Sequence, residues 1–299
     1  MKTLHRLALF GLALALVSVP AFAQRQLGKK KGPTSKLYLA EAVGEGQIIT
    51  EGKAYAPRQA TAFDAPGTVI ETKKDSHQAF VYSNGTGMFV DADTRVEVDR
   101  FVQEPFRPDR NTTEVEPSIS QSDVFVARGQ VGICTGQLVS GTTMNYATPH
   151  AAVNIRGGKL SIKTNEEETI VYLLEGDATV RGGGRDRAGS LLRAGEQAVI
   201  RPGTPGQPPT VTVGPIDRAV VNSLDDKVTV ACNAKKTVTF ETIEKKSEKG
   251  LDEPPNDSNP GSTPGGGDDT PDEEIVVRPT TPTAPPPVIT ISPDRVSGE

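Results

Sequence analysis

The feature that most limits the fold of this chain is a two-residue alternation of apolar and polar side chains, repeated in many short runs. The runs at 68–72 and 78–82 show it clearly, and Gly, Asn and Asp residues separate one run from the next. Alternation gives a β-strand two different faces, whereas an amphipathic helix repeats its apolar positions about every 3.6 residues. We therefore predict an all-β fold. The first alternative is a β-solenoid or roll whose short strands close into a sandwich-like body, and the second is a conventional Greek-key sandwich.

The predicted strands continue through most of the chain. Tight turns are expected at 83–85 and 175–177, where Asn or Gly tolerates the positive φ of a hairpin. No long segment has the helical period, so no helix is predicted. The strands are predicted at 68–72, 78–82, 87–90, 96–98, 124–126, 160–162, 170–174, 178–181, 198–200, 210–213, 227–232 and 237–242.

The N-terminus has the pattern of a secretory signal peptide. A basic start precedes an apolar run at 7–17, shorter than the roughly 20 residues of a membrane-spanning helix, and an Ala-Phe-Ala cleavage site follows at 21–23. We predict a signal peptide at 1–23 and a basic leader at 24–38, with no transmembrane segment in the mature chain. The protein is then exported, either to the periplasm or out of the cell.

The C-terminal segment 247–299 differs in composition from the rest. It holds 11 of the 24 prolines, no aromatic residue, and 11 acidic against 3 basic residues, a net charge of −8. Such a segment buries too little apolar surface to offset the entropy lost on ordering, so we predict a disordered acidic tail that serves as a spacer or a weak docking arm. Residues 24–246 carry 28 basic and 27 acidic residues, a net charge of +1, and give no indication of nucleic-acid binding.

Three motifs with turn-forming residues stand in order between the later predicted strands. Their residues are Thr148, Pro149, Arg156, Gly157, Glu175, Gly176 and Gly195. With the strands and turns before them, these motifs resemble the FecR domain, the periplasmic domain of bacterial regulators that sense siderophore uptake. The resemblance covers 67–200, within a folded domain predicted at 39–246. In the motif that usually ends Arg-Gly-Thr, Gly158 replaces the usual Thr.

The resemblance implies a sensor-type binding domain with an envelope protein as its partner. A transmembrane FecR regulator has a cytoplasmic segment and a membrane helix before this domain. Here the predicted signal peptide takes their place, so we expect a free-standing, exported FecR-like domain.

Arg156 allows two interpretations. Its guanidinium could recognise an acidic group on a partner, or it could tie loop carbonyls or a carboxylate such as that of Glu175. We favour the structural interpretation, because arginine often supplies such fixed hydrogen bonds.

No pattern of catalytic or metal-binding residues is evident. After signal removal only His77 and His150 remain, and neither belongs to a metal-binding spacing. The segment Asp91-Ala92-Asp93 lacks the remaining ligands of a calcium loop, so a strand-end turn is expected there. We predict no enzyme activity, no cofactor and no metal.

Cys134 and Cys232 are the two cysteines of the chain. In an oxidising compartment they are expected to form one disulfide, and the alternative is two unpaired thiols buried in separate strands.

The function that fits best is a non-enzymatic binding or sensor-type module that engages an envelope protein through strand edges and turns. The alternative is an envelope structural or adhesion component that binds cell-wall or extracellular polysaccharide. The absence of Trp counts against a sugar-stacking site. The oligomeric state is not predicted.

Overall fold

The computed structural model describes residues 35–106, 114–183, 186, 188–204, 207–245 and 272–279. Within these ranges the chain forms seventeen strands and one helix, so the all-β prediction is confirmed. The predicted signal peptide, most of the basic leader and most of the acidic tail lie outside the described residues. The first strand begins at Lys36, inside the segment assigned to the leader.

The first eight strands are β1 (Lys36–Val43), β2 (Gly46–Thr50), β3 (Lys53–Tyr55), β4 (Thr61–Asp64), β5 (Thr68–Thr72), β6 (His77–Tyr82), β7 (Gly87–Val90) and β8 (Arg95–Gln103). They are followed by β9 (Ser120–Cys134), β10 (Thr143–Ala147), β11 (Ala152–Thr164), β12 (Thr169–Arg181), β13 (Ser190–Arg193), β14 (Glu196–Arg201) and β15 (Thr210–Pro215). The last elements are helix α1 (Arg218–Lys235), β16 (Val238–Lys245) and β17 (Asp272–Pro279).

Strands β1 to β15 form one hydrogen-bonded sheet that turns back on itself. This is possible because β9, β11 and β12 are long, and the two halves of each pair with different neighbours. The first half of β9 lies between β8 and β10, and its second half lies between β7 and β11. We call the side formed by β1, β4, β6, β7, β14 and β15 the helix layer, and the side formed by β2, β3, β5, β8, β10 and β13 the open layer. The three long strands belong to both.

A glycine lies where β9 passes from one layer to the other. Gly129 has φ +94°, and a Cβ atom on it would lie 2.1 Å from the Thr94 Oγ1 atom. Any other residue would be strained in this backbone conformation and would also collide with Thr94. Glycine at this position therefore allows β9 to change layers without ending.

The core fills the space between the two layers. Its largest fully buried side chains include Tyr82 and Phe101, whose ring centroids lie 5.1 Å apart. Burying an aliphatic or aromatic side chain of this size contributes about 1.5–3 kcal/mol. The other fully buried members include Leu37, Leu39, Ile48, Ile70, Phe80, Met88, Ile133, Met144, Tyr146 and Ile155.

Helix α1 covers the outer face of the helix layer. Asp217 caps its first turn by accepting a hydrogen bond from the Ala219 backbone N–H at 2.9 Å. Two strand glycines let the helix lie directly on the sheet. A Cβ atom on Gly87 would lie 2.0 Å from the Ala231 carbonyl oxygen, and one on Gly132 would lie 3.3 Å from a Val228 methyl group.

The prediction of a strand at 227–232 is wrong, because these residues lie in α1. The valines at 228 and 230 suggested a two-residue period when that segment was taken alone. Over the whole helix the buried residues are Leu224, Val228, Ala231 and Ala234, which recur every three or four positions. Packing against the sheet selects that longer period.

The predicted strand at 237–242 is confirmed as part of β16. It pairs antiparallel with β17, whose residues belong to the segment predicted as a tail. The Val238 and Phe240 side chains are buried against Tyr38 and Val81 of the helix layer. Helix α1 and β16 therefore cover the same side of the sheet. Among the described residues no helix is long and apolar enough to cross a membrane.

Candidate functional site

The predicted Thr148-Pro149 motif forms the turn between β10 and β11. The Thr148 Oγ1 atom accepts hydrogen bonds from the backbone N–H groups of His150 and Ala151, at 3.2 and 2.9 Å. It also lies 2.8 Å from the Thr169 hydroxyl, which in turn lies 2.8 Å from the Thr164 hydroxyl. Thr148 is buried, so its hydroxyl fixes this turn to the start of β12.

The glycines of the next two motifs face each other across β11 and β12. Gly157, Gly158 and Gly176 have φ values of +123°, +108° and +88°. A Cβ atom on Gly158 would lie 2.1 Å from the Glu175 carbonyl oxygen, and one on Gly176 would lie 2.0 Å from the Gly157 carbonyl oxygen. The two backbones can approach this closely only because both positions lack a side chain.

These glycines correct a predicted boundary. A turn was expected at 175–177, between two separate strands, whereas β12 runs unbroken through this segment. The register of the β11–β12 pair shifts here, so the residues form a bulge instead of a hairpin. A bulge bends a strand without ending it. Glycine at 176 correctly indicated a backbone with positive φ, but it did not distinguish a bulge from a turn.

The Arg156 side chain is exposed, and no described residue gives it a hydrogen bond or an ion pair. Glu175, its expected partner, binds Lys159 instead, with the Lys159 Nζ atom 2.6 Å from the carboxylate. The expected bond between the Arg156 guanidinium and the Glu175 carboxylate is therefore not formed among the described residues. Its guanidinium is directed to the outer face of the open layer, because Val153 and Ile155 occupy the alternate, buried positions of the strand.

Gly195 forms the turn between β13 and β14 with φ +84°. Its N–H donates to the Leu173 carbonyl oxygen at 2.8 Å, and its own carbonyl oxygen accepts from the Ile216 N–H at 2.9 Å. The turn thereby joins β12 to the residue that follows β15.

The predicted disulfide is present between Cys134 and Cys232. Their Cα atoms lie 5.2 Å apart, and 98 positions separate them in sequence. The bond joins the end of β9 to the last turn of α1. In the middle of the same helix, the Lys227 Nζ atom binds the Asp91 carboxylate at 2.5 Å and the Gln130 Oε1 atom at 3.0 Å. A disulfide is compatible with an exported protein.

The remaining candidate residues have local partners. The His77 Nε2 atom lies 3.0 Å from the Glu41 carboxylate, and the His150 Nε2 atom lies 2.9 Å from the Asn165 carbonyl oxygen. Asp93 has φ +52° in the turn before β8. The described part of the chain contains no group of three or more His, Cys, Asp or Glu residues placed to hold a metal ion.

One buried carboxylate, that of Glu116, was not among the predicted candidate residues. Glu116 is only 4% exposed. Its oxygens accept from Ser120 Oγ at 2.5 Å, Thr142 Oγ1 at 2.6 Å, Asn84 Nδ2 at 3.2 Å and the Val139 N–H at 3.2 Å. Glu116 therefore holds three separate loops together. A lone glutamate in a polar stretch gives no sequence signal of this role.

Burial and hydrogen bonding shift several pKa values. Burial raises the pKa of the Tyr82 and Tyr146 phenols well above the ordinary range, so both stay neutral. Hydrogen bonds from Gln47 and Arg95 lower the pKa of Glu71 on the open layer. Burial lowers the pKa of Lys235 at the end of α1.

Strand β15 forms an open edge of the sheet. It pairs with β14 on one side, and no described strand lies on its other side. Val213 on this strand is 39% exposed, and Leu191 on β13, the corresponding edge of the open layer, is 52% exposed. These two edges place large apolar side chains in solvent at one end of the fold.

Three chains of solved structures match this chain, and among them are two crystal structures of a candidate anti-sigma factor from Parabacteroides distasonis. Each is 16% identical to this chain; the matches cover 52% of the chain and 62% and 63% of those structures, with TM-scores of 0.38 and 0.37. Similarity at this level carries no argument about function. No protein-family model matches the chain, and no curated protein matches it.

Proposed function

We propose that this chain is a non-enzymatic, exported binding module of the FecR type, which engages a protein partner of the cell envelope through the open edge of β15. The observation that carries the proposal is the edge itself, which has a paired strand on one side only among the described residues. A strand edge offers a row of backbone N–H and C=O groups to an extended segment of another protein.

The side chains of β15 suit this role. Residues 210–214 read Thr-Val-Thr-Val-Gly and contain no charge, and Pro215 ends the strand. Soluble proteins commonly protect an edge strand with a lysine, a proline, an inward charge or a bulge, and residues 210–214 have none of these; the proline of β15 lies at its last position. The edge is therefore open to strand addition.

Two further observations support an exported module of the FecR type. The glycines of the FecR-like motifs occupy positions that need positive φ, which gives a physical reason for their presence. The Cys134–Cys232 disulfide is the kind of crosslink that persists in an oxidising compartment.

A capture experiment on envelope extract tests the proposal. The mature chain is compared with Val213→Lys, which places a charge on the β15 edge, and with Tyr55→Lys at the opposite end of the sheet. The two positions are matched because both side chains are apolar and similarly exposed, at 39% and 42%. We expect Val213→Lys to lose one defined envelope protein that the mature chain and Tyr55→Lys both retain.

The same extract also tests the role of the tail. We expect a chain ending at residue 246 to retain the partner, because β15 belongs to the folded body. Loss of the partner only on removal of 247–299 would assign binding to the tail and overturn the edge proposal. Equal capture by Val213→Lys and the unaltered chain would also overturn the edge proposal.

A further inference from the structure

We propose that the outer face of the open layer binds a neutral polysaccharide of N-acetylated sugars, such as the glycan strand of a cell wall. This surface is separate from the β15 edge and does not depend on the protein partner. The described helix and β16 cover the other layer, so no described element covers this one. We call the surface the ladder face; it consists of Gln121, Asp123 and Phe125 on β9, Thr143, Asn145 and Ala147 on β10, Ala152, Asn154 and Arg156 on β11, and Asp177, Thr179 and Arg181 on β12.

The middle row of the ladder face is a chain of hydrogen-bonded polar groups. Asn154 Nδ2 donates to Asn145 Oδ1 at 2.8 Å, and Asn145 Nδ2 donates to Asp123 Oδ1 at 2.9 Å. These bonds fix both amide planes. Each amide nitrogen keeps a second N–H, and the Asn154 Oδ1 atom and the second Asp123 oxygen remain as acceptors. The row thus presents fixed donors and acceptors side by side, which suits the hydroxyl and amide groups of sugars.

The next row has two small side chains, both alanines, at its centre. Phe125 lies opposite Ala147, which lies opposite Ala152, and Arg181 closes the row on β12. Because the alanines are short, a groove of about 340 Å³ forms here. Besides the alanines, its polar lining residues are Asp99, Asp123, Asn145, Asn154, Thr179 and Arg181. An acetamido group has a methyl group beside an amide, and it matches an alanine row beside an asparagine row.

The charges on and beside the ladder face favour a neutral ligand. Asp123, Asp177 and the groove-lining Asp99 of β8 carry one negative charge each. Arg156, Arg181 and Arg100, which donates a hydrogen bond to Gln121, carry one positive charge each, so these charges balance. A nucleic acid would need a basic surface, and a lipid bilayer would need a larger apolar patch or a cationic one. A neutral, hydroxyl-rich polymer fits the balance of charges.

The spacing of the face also fits a polymer. Neighbouring strands lie about 4.8 Å apart, so the row from Asp123 to Thr179 offers one polar side chain per such step. A sugar in a β-1,4-linked chain advances by a similar distance. A glycan lying across the strands would therefore place successive sugars over successive side chains of the row.

Calorimetric titration of the mature chain with the N-acetylglucosamine hexamer tests the proposal. Asn154→Ala removes a donor and an acceptor from the row, and Ala152→Glu fills the groove with a charged side chain. We expect each to weaken binding by about tenfold or more, as the loss of ligand hydrogen bonds implies. Asn233→Ala and Ala219→Glu make the same substitutions at exposed positions of α1 and should bind like the unaltered chain.

The glucose hexamer serves as the chemical control, because it has the same linkage without acetamido groups. We expect it to bind more weakly than the N-acetylated hexamer. Three results would each overturn the proposal: no binding of the N-acetylated hexamer at millimolar concentration, unchanged binding by both ladder-face variants, or equal affinity for the two hexamers. Near-ultraviolet circular dichroism of each variant separates a lost site from a lost fold.

Discussion

Cys134 ends the longest strand of the sheet, and Cys232 lies in α1, 98 positions later, with the two sulfur atoms bonded. The bond attaches the helix to the strand that belongs to both layers. Helix α1 also packs against this strand through Val228 and Ala231. The helix is therefore fixed to the sheet by a covalent bond and by an apolar contact at the same place.

Removing this disulfide should lower the stability of the whole fold. We expect the double variant Cys134→Ser/Cys232→Ser to lose up to about 4–5 kcal/mol of unfolding free energy, because the bond closes a loop of roughly a hundred residues in the unfolded chain. Urea unfolding of the two proteins measures the difference. Intact mass after alkylation without reductant gives the independent check, since labelling of two thiols would contradict the bond.

Gly176 should tolerate substitution less well than Gly195. Both have positive φ, but a Cβ atom on Gly176 would meet the Gly157 carbonyl oxygen, whereas one on Gly195 would have open space. We expect Gly195→Ala to cost about 1 kcal/mol from backbone strain alone and Gly176→Ala to cost about 2–4 kcal/mol. If chemical denaturation gave equal losses of unfolding free energy for the two variants, the close approach of β11 and β12 would not contribute to the cost of a side chain at Gly176.

Glu116→Gln should destabilise the protein although it hardly changes the size of the side chain. The amide replaces one acceptor oxygen with a donor, so some of the four groups that donate to Glu116 lose their partner inside the protein. We expect a loss of about 1–3 kcal/mol. Glu114→Gln, two positions earlier and exposed, is the control and should change stability by less than about 0.5 kcal/mol. Matching melting curves for the two variants would contradict the role of Glu116.

Stability should fall in acid partly through Glu71. The hydrogen bond from Gln47 and the adjacent Arg95 lower its pKa below the ordinary value of 4.5 in the folded protein. Because the folded pKa is the lower one, the contribution is complete above pH 4.5 and is lost as the pH falls through the folded pKa. The unfolding free energy of Glu71→Gln should therefore vary less over this acid range than that of the unaltered chain. Parallel curves for the two proteins would exclude Glu71 as the group responsible.

Arg156→Ala should leave the melting temperature unchanged, because no described residue bonds to this side chain. Arg95→Ala is the comparison, since Arg95 pairs with both Glu71 and Glu97. We expect a loss of about 1 kcal/mol for Arg95→Ala and less than about 0.5 kcal/mol for Arg156→Ala. A clear drop in the melting temperature of Arg156→Ala would restore a structural role for it.

Strand positions were predictable because one face of each strand is buried and the other is not. In β5, residues 68, 70 and 72 are buried and residues 69 and 71 are less so, which is the alternation read from the sequence. The same rule failed at α1. There the segment 227–232 alternates locally, and contacts with Gly87 and Gly132 of the sheet decide in favour of the helix. Such contacts join residues far apart in sequence, so local periodicity does not reveal them.

The candidate sites were less predictable than the strands. Motif glycines were identified, but their partners across the β11–β12 pair depend on register, which a glycine in one strand does not specify. The ladder face needs Asp123, Asn145 and Asn154 side by side, and β9 pairs with β10 in parallel although every other pair of this layer is antiparallel. That adjacency arises only from the complete sheet.

The packing of Tyr38 against Ala234, Val238 and Phe240 brings the first strand of the described body beside its last helix and β16. The polypeptide thus enters the sheet at a strand of the helix layer. A tag or fusion partner joined at residue 35 would be attached to that layer. Immobilised through this junction, the protein would point its ladder face away from the support, so the face would stay accessible on a sensor surface.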